Sequence, residues 1–247
     1  MKSYFRTFKN KLSRKIKSNQ IKRVEIFNES EEKELKTPYD SVQFSGEGLQ
    51  YLIENFRFKS VLDIGSGQGL HSDVFKQFGK QVTSIDFGKS VYFEKREGEQ
   101  TYIQADYYTY SFSDQFDAIW ASHVLEHQPN PNLFLKKIHS DLKDGGILAI
   151  TVPPLKHQIV GGHVTLWNAG LLLYQLVLAG FNCKNAHIKS YGYNISLILE
   201  KKPILEFPEL SYDKGDIEKL LNYFPEGLSE PFNGDIKELN WEQGNKS

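Results

Sequence analysis

Three groups of residues in this chain have the types and spacing for chemistry. The first is Asp63-x-Gly65-x-Gly67-x-Gly69, which ends the apolar run that starts at Val61. A buried strand that stops in a carboxylate and then in three alternating glycines turns sharply beneath a ligand, because glycine has no Cβ to hold the backbone away. The second is Asp86, about twenty residues beyond that loop, where a carboxylate at a strand end can accept both hydroxyls of a ribose. The third is Ser122-His123-Val124-Leu125-Glu126-His127, followed at a distance by His157 and His163. Imidazoles are suited to moving a proton near neutral pH, and His123, His127, His157 and His163 are the candidates. His123 and His163 lead, one after the fourth strand and the other in the loop after the fifth, with His127 beside them. The alternative for each is capping or packing, and for Glu126 with His127 a hydrogen-bonded pair that fixes the loop.

Elements that could hold these groups alternate along the chain. A helix over 46–56 carries Leu49, Leu52, Ile53 and Phe56 on one face, with Ser45 as its N-cap. Strands are expected at 60–64, 81–85, 101–104, 116–121 and 147–152. Helices lie between them: one runs from Leu70 to a stop at Gly79, another from Pro131 to a stop at Gly145-Gly146. A helix over 168–179 follows, then strands at 182–190 and 194–200. Only Tyr191-Gly192-Tyr193 separates these two, so they are antiparallel. The alternation predicts an α/β fold, Rossmann-like and doubly wound, with a mostly parallel sheet and helices on both faces. In such a sheet, polar side chains at 122–127 face the ligand crevice.

The glycine spacing narrows the ligand. A dinucleotide fingerprint is G-x-G-x-x-G, whereas this chain has G-x-G-x-G with Asp63 two residues ahead. A carboxylate there repels a pyrophosphate and attracts the ammonium of a sulfonium amino acid, which favours S-adenosylmethionine over NAD. Over Asp63 to Gly69 the chain resembles the class I S-adenosylmethionine-dependent methyltransferases, whose first motif is D/E-x-G-x-G-x-G. The resemblance spans about 45–201 and implies a seven-stranded sheet with an antiparallel last strand inserted. It also implies Asp86 on the ribose, Phe87 beside the adenine, Asp106 on the adenine amino group, and Tyr107 and Ser122 at the cofactor. Tyr107 could stack on the base or pack on the sheet, and the sequence does not choose. The Val124-to-His127 stretch resembles members that methylate small molecules, the ubiquinone-type O-methyltransferases among them. Some of those hold a divalent metal here with acidic residues and a histidine. His123 stands where they have an acid, so no metal is assigned.

His123-x-x-Glu126-His127 also matches H-x-x-E-H, a zinc-peptidase pattern that requires a helix. Here it falls at a strand-to-helix switch, which makes the peptidase a remote alternative. A non-catalytic binding protein on the same fold is the other.

Composition bounds the rest. The chain has 247 residues, one cysteine and a net charge of -1. That length suits one domain with appended ends, and a single Cys183 fits a reducing compartment. No apolar run reaches membrane-spanning length and no signal peptide is evident, so a cytoplasmic protein is expected. Residues 1–23 hold nine Lys or Arg and no acid, leaving 21 basic against 31 acidic residues elsewhere. That arm also places Phe5, Phe8, Leu12 and Ile16 at helical spacing. It fits an anionic inner membrane surface or an acidic substrate, and equally a helix packed on its own domain. The divisions expected are a basic arm and connector (1–44), a methyltransferase domain (45–201) and a C-terminal appendage (202–247). The function expected is methylation of a hydroxyl on a small molecule or glycan, including a lipid-linked one. A nucleic-acid acceptor is disfavoured because the positive charge lies outside the core.

Overall fold

The computed structural model describes residues 37–96 and 102–241. The basic arm therefore lies outside the described residues. Eight strands form one sheet in the order β3-β2-β1-β4-β5-β7-β6-β8. In chain order these are β1 (Ser60–Ile64), β2 (Gln81–Asp86), β3 (Ile103–Gln104), β4 (Phe116–Ser122), β5 (Leu142–Val152), β6 (His187–Tyr191), β7 (Asn194–Glu200) and β8 (Glu238–Leu239). The first five pair in parallel, and β7 is antiparallel to both β5 and β6. The order reverses between β1 and β4, which share a register from Val61 opposite Ala118 to Ile64 opposite Ala121. A crevice opens at such a reversal, at the carboxyl ends of the strands.

Helices cover both faces. The helices α1 (Gly46–Asn55) and α2 (Leu70–Gln77) bury Leu49, Leu52, Val74 and Phe75 with Val61 and Trp120 on one face. The helices α3 (Pro131–Asp141) and α4 (Ala169–Leu178) bury Phe134, Leu135, Leu172 and Leu176 with Leu62 and Ile64 on the other. Val61 and Leu62 belong to opposite faces because side chains alternate along a strand, and both faces of this sheet are dry.

The structure corrects the expected elements in four places. The sheet has eight strands, not seven, because β8 from the C-terminal appendage pairs antiparallel with β6. The appendage also buries Leu220 and Phe224 beneath α4, with α5 (Asp216–Lys219) beside them, and stacks Trp241 on Tyr51 at 4.0 Å. Gly145-Gly146 does not stop α3. That helix ends at Asp141, and Leu142 already pairs with Phe116 before the strand bulges and resumes at Ile147 opposite Ala118. A Cβ on Gly146 would lie 3.0 Å from the Asp117 carbonyl, so glycine serves the bulge. The strand β6 starts at His187 rather than near Asn182, because the Asn182 side chain accepts from Lys184 N at 3.0 Å and closes a turn first. Ser45 does not cap α1 with its side chain: its backbone is left-handed (φ 60°) and its hydroxyl bonds Ser122 instead.

Candidate active site

The crevice at the β1/β4 reversal has two halves. In the first, β1 runs into Gly65, Gly67 and Gly69, all with positive φ (68°, 50° and 90°). A Cβ at Gly65 would lie 2.4 Å from Val124 Cγ2, so only glycine lets the segment after β4 close on the loop. Gly65 N and Ser66 N both donate to Ile85 O, at 2.8 and 3.3 Å. Asp86, at the end of β2, fixes the loop from the other side. Its Oδ2 accepts from Gly67 N at 2.8 Å and its Oδ1 from Gly88 N at 2.7 Å. A carboxylate oxygen has two lone-pair directions, so each retains one for a further donor. Arg96 crosses the loop, donating from Nε to Gly67 O at 2.9 Å and from Nη2 to Ser66 Oγ at 2.8 Å.

Beneath the loop Asp63 is almost fully enclosed and accepts from Ser72 Oγ at 2.5 Å, with Ser84 Oγ a further 2.7 Å from that hydroxyl. Burial pushes the Asp63 carboxyl up to about 7, against the downward pull of Ser72, Arg96 and Lys76, while Asp86 adds to the rise. Burial also pushes His71 down to about 4, helped by His123 and opposed by its bond to the Phe44 carbonyl. That carbonyl only accepts, so His71 Nε2–H donates to it at 3.0 Å, tying α2 to the segment before α1.

Phe87 projects from the end of β2, 56 % exposed, with Lys89 Nζ 4.7 Å from its ring centre. Asp106 is exposed and accepts from Tyr108 N at 2.9 Å. Tyr107 is not in the crevice. It is buried in the core, its ring 5.3 Å from that of Phe134 and its hydroxyl donating to Asp141 Oδ2 at 2.8 Å. Of the two roles open to Tyr107, the structure selects packing, with its buried hydroxyl bonded to Asp141 on α3.

The second half is built on the end of β4. Ser122 Oγ and Ser45 Oγ are 2.7 Å apart. His123 adopts a left-handed backbone (φ 54°), which a branched or bulky residue rarely holds without being fixed by its surroundings. Its N–H donates to Thr151 O at 2.9 Å, and its ring sits against Phe44 (4.8 Å) and Tyr193 (6.1 Å). The Asn194 Oδ1 accepts from Ser45 N at 3.2 Å and lies 2.9 Å from His123 Nε2. That oxygen is an acceptor, so His123 Nε2 carries the proton. This nitrogen is committed, and His123 is not a free base through it.

A short turn, Leu125–His127, follows. The Gly162 carbonyl lies 2.8 Å from His127 Nδ1, which therefore holds a proton, and Nε2 faces Glu126. Glu126 is fully buried, with Oε1 3.3 Å from His123 Nδ1 and 3.8 Å from His127 Nε2. Neither approach is aligned as a hydrogen bond, and among the described residues both carboxylate oxygens lack a hydrogen-bond partner. Val164 N and Thr165 N donate to the Glu126 carbonyl at 2.9 and 3.2 Å, which brings His163 alongside. The His163 and His127 rings are 5.0 Å apart and nearly perpendicular. Burial lowers the His163 pKa, with His127 and His123 assisting and Glu126 opposing.

Three of the four candidate histidines thus lie near Glu126, and His157 is exposed in the loop after β5. The H-x-x-E-H residues are not on a helix: His123 is left-handed and 125–127 is a single tight turn, which removes the peptidase geometry. Sequence reasoning missed Asn194, Tyr193 and Ser45 as parts of this half. The only signal was a polar residue opening β7 just past the turn already noted.

Known proteins resemble this chain over its central part. Residues 62–150 match the family model described as a methyltransferase domain. A ubiquinone biosynthesis O-methyltransferase of Paramagnetospirillum magneticum is 34% identical over 102 residues, covering 39% of this chain and 41% of that protein. The chain therefore spans less than half the length of the curated relatives it matches. Among solved structures, a Haloferax volcanii methyltransferase in complex with a methyltransferase activator aligns with a TM-score of 0.53 at 14% identity, over 66% of this chain and 90% of that one. An Archaeoglobus fulgidus SAM-dependent methyltransferase aligns at 0.50 and 20% identity, over 64% and 91%. These structural likenesses establish the fold.

Proposed function

We propose, on the premise that residues 62–150 form a methyltransferase domain of the class I fold, that this chain transfers a methyl group from S-adenosylmethionine to a hydroxyl of a small molecule. One observation carries the reading. The Asp86 carboxylate grips the glycine loop at the β1/β4 reversal and keeps a free acceptor direction on each oxygen for a ribose. The loop's three glycines all hold positive φ, a turn that brings backbone rather than side chains round the end of β1.

S-adenosylmethionine supplies an electrophilic methyl group on a sulfonium. The chain's own residues bind and align. Gly65, Gly67 and Gly69 give the close approach, Asp86 takes the ribose, Phe87 and Asp106 flank the adenine, and Ser122 borders the crevice. Asp63 acts from beneath, holding α2 to the loop through Ser72. On the acceptor side a hydroxyl must lose its proton, and the His127 and His163 nitrogens beside Glu126 are the groups to take it. His123, held by Asn194, positions that cluster.

The O-methyltransferase relatives support oxygen as the acceptor atom. The exposed Leu155, Ile159, Val160 and Val164 border the same loop as His163 and suit an acceptor with an apolar part. A glycan or lipid-linked acceptor, and contact with an anionic membrane, rest on the basic arm outside the described residues. Among the described residues no helix is long and apolar enough to cross a membrane.

The test is production of S-adenosylhomocysteine from labelled S-adenosylmethionine across phenolic, catecholic and glycan hydroxyl acceptors. Turnover on a hydroxyl acceptor that disappears in His163→Ala is expected. Cofactor bound with no turnover on any acceptor class would favour a binding protein on this fold.

A further inference from the structure

We propose that Arg96 binds the carboxylate at the amino-acid end of the cofactor through the Nη1 edge of its guanidinium. The inference rests on the methyltransferase reading and deepens it. In that reading Asp86 takes the ribose and Phe87 and Asp106 flank the adenine, which leaves the negative carboxylate without a counter-charge. Asp63 lies beneath the loop, enclosed and bonded to Ser72, and has the wrong sign for that role. Arg96 is a cation bonded to the loop itself. Its Nε and Nη2 donate to Gly67 O at 2.9 Å and Ser66 Oγ at 2.8 Å, and these two nitrogens form one edge of the planar fork. The other edge is Nη1 together with the second proton of Nη2. Nη1 is enclosed, and among the described residues it has no hydrogen-bond partner. A charged donor withdrawn from water and left unbonded is unfavourable. A carboxylate, whose two oxygens match the two nitrogens of that edge, is the acceptor that fits it best.

The fork is held in place by its neighbours. The guanidinium carbon lies 4.3 Å from the ring centre of Tyr102 and 5.6 Å from that of Phe93, and those two rings meet edge to face at 5.2 Å. Gly67 is gripped at its N–H by Asp86 and at its carbonyl by Arg96, so the ribose acceptor and the carboxylate donor are set by one loop residue. A Cβ on Gly67 would lie 3.2 Å from Tyr92 Cβ, which places the segment 92–96 directly over the loop. Because Nη1 is enclosed, that segment shifts to admit the carboxylate, and Tyr92, which packs on Gly67, shifts with it. Lysine cannot take the same part. A single ammonium has no second edge to offer a ligand while the first holds the loop.

The experiment titrates the full-length chain calorimetrically with S-adenosylhomocysteine and with its decarboxylated analogue, which keeps the adenosine, the thioether and the amine. The native chain should prefer S-adenosylhomocysteine on the order of 30-fold, the size expected for a desolvated charge pair. In Arg96→Ala that preference should collapse to within about threefold, whatever loss the two ligands share. A loop merely loosened by the missing bonds to Gly67 O and Ser66 Oγ would weaken both ligands alike and keep the ratio, which would overturn the assignment. Arg96→Lys keeps the charge without the fork, and its ratio should also fall, by about threefold or more. That variant decides the matter if the melting curve of Arg96→Ala shows a lost fold, and an unchanged ratio in it overturns the assignment. A native chain that binds both ligands equally overturns the role of Arg96 and leaves the methyltransferase reading standing. A native chain that binds neither removes that reading and the role of Arg96 with it.

Discussion

The two halves of the crevice are made in different ways. The cofactor half is backbone: Gly65, Gly67 and Gly69 in left-handed conformations, with the Gly65 amide held by Ile85 O, that of Gly67 by Asp86 and that of Gly69 by Ser66 O. The acceptor half is side chains drawn from four separate segments: Ser45, the 122–127 turn, His163 and Asn194. A backbone site needs one residue type at fixed spacing and is written contiguously in the chain. A side-chain site is assembled only when the sheet brings distant ends together.

Substitutions should separate the halves, and the largest effect is expected at Gly65. Gly65→Ala places a Cβ against Val124 in a left-handed conformation. S-adenosylhomocysteine affinity should fall on the order of 100-fold, about 2.7 kcal/mol, by calorimetry. Next is Asn194→Ala, which strands the Ser45 N–H and His123 Nε2–H at a cost of about 1–3 kcal/mol. Its kcat should drop on the order of tenfold while cofactor affinity stays within about twofold. Equal losses of both would mean the halves are coupled through Ser45.

A third test uses pH. Asp63 titrates near 3.8 unfolded and about 7 folded, so the native state holds the extra proton and stability falls as pH rises between those values. His71 titrates near 6.5 unfolded and about 4 folded, so it contributes stability that is lost as pH falls through that window. The two slopes oppose over the shared range and the native chain should show little net dependence there. Asp63→Asn should unmask the His71 slope, a stability that rises with pH by up to about 1.4 kcal/mol per unit in denaturant melts. The smallest effect is at Ser45. Ser45→Ala should cost about 1 kcal/mol through Ser122, whereas Ser45→Gly should be near neutral, because relief of the φ 60° conformation offsets the lost bond.

The same contrast explains what could be read from the sequence. The strand, glycine loop and Asp86 were legible because geometry forces residue types there, and the alternation of elements gave the doubly wound sheet. Tyr107 was not, because stacking or packing depended on whether Asp141 faced its hydroxyl. Ser45 looked like a cap, but the nearer partner was Ser122, which is distant in the chain. The eighth strand was hidden because two residues, Glu238–Leu239, carry no periodicity. Glu126 read as half of a structural pair, and only its burial shows that neither histidine satisfies it.

The central claim is tested most directly by titrating the folded chain with S-adenosylhomocysteine and with NAD, and repeating both with Asp86→Ala. The account predicts one molecule of the homocysteine nucleoside bound per chain, no NAD, and loss of that binding in the variant. Undiminished binding by Asp86→Ala, or no binding by the native chain, would contradict it.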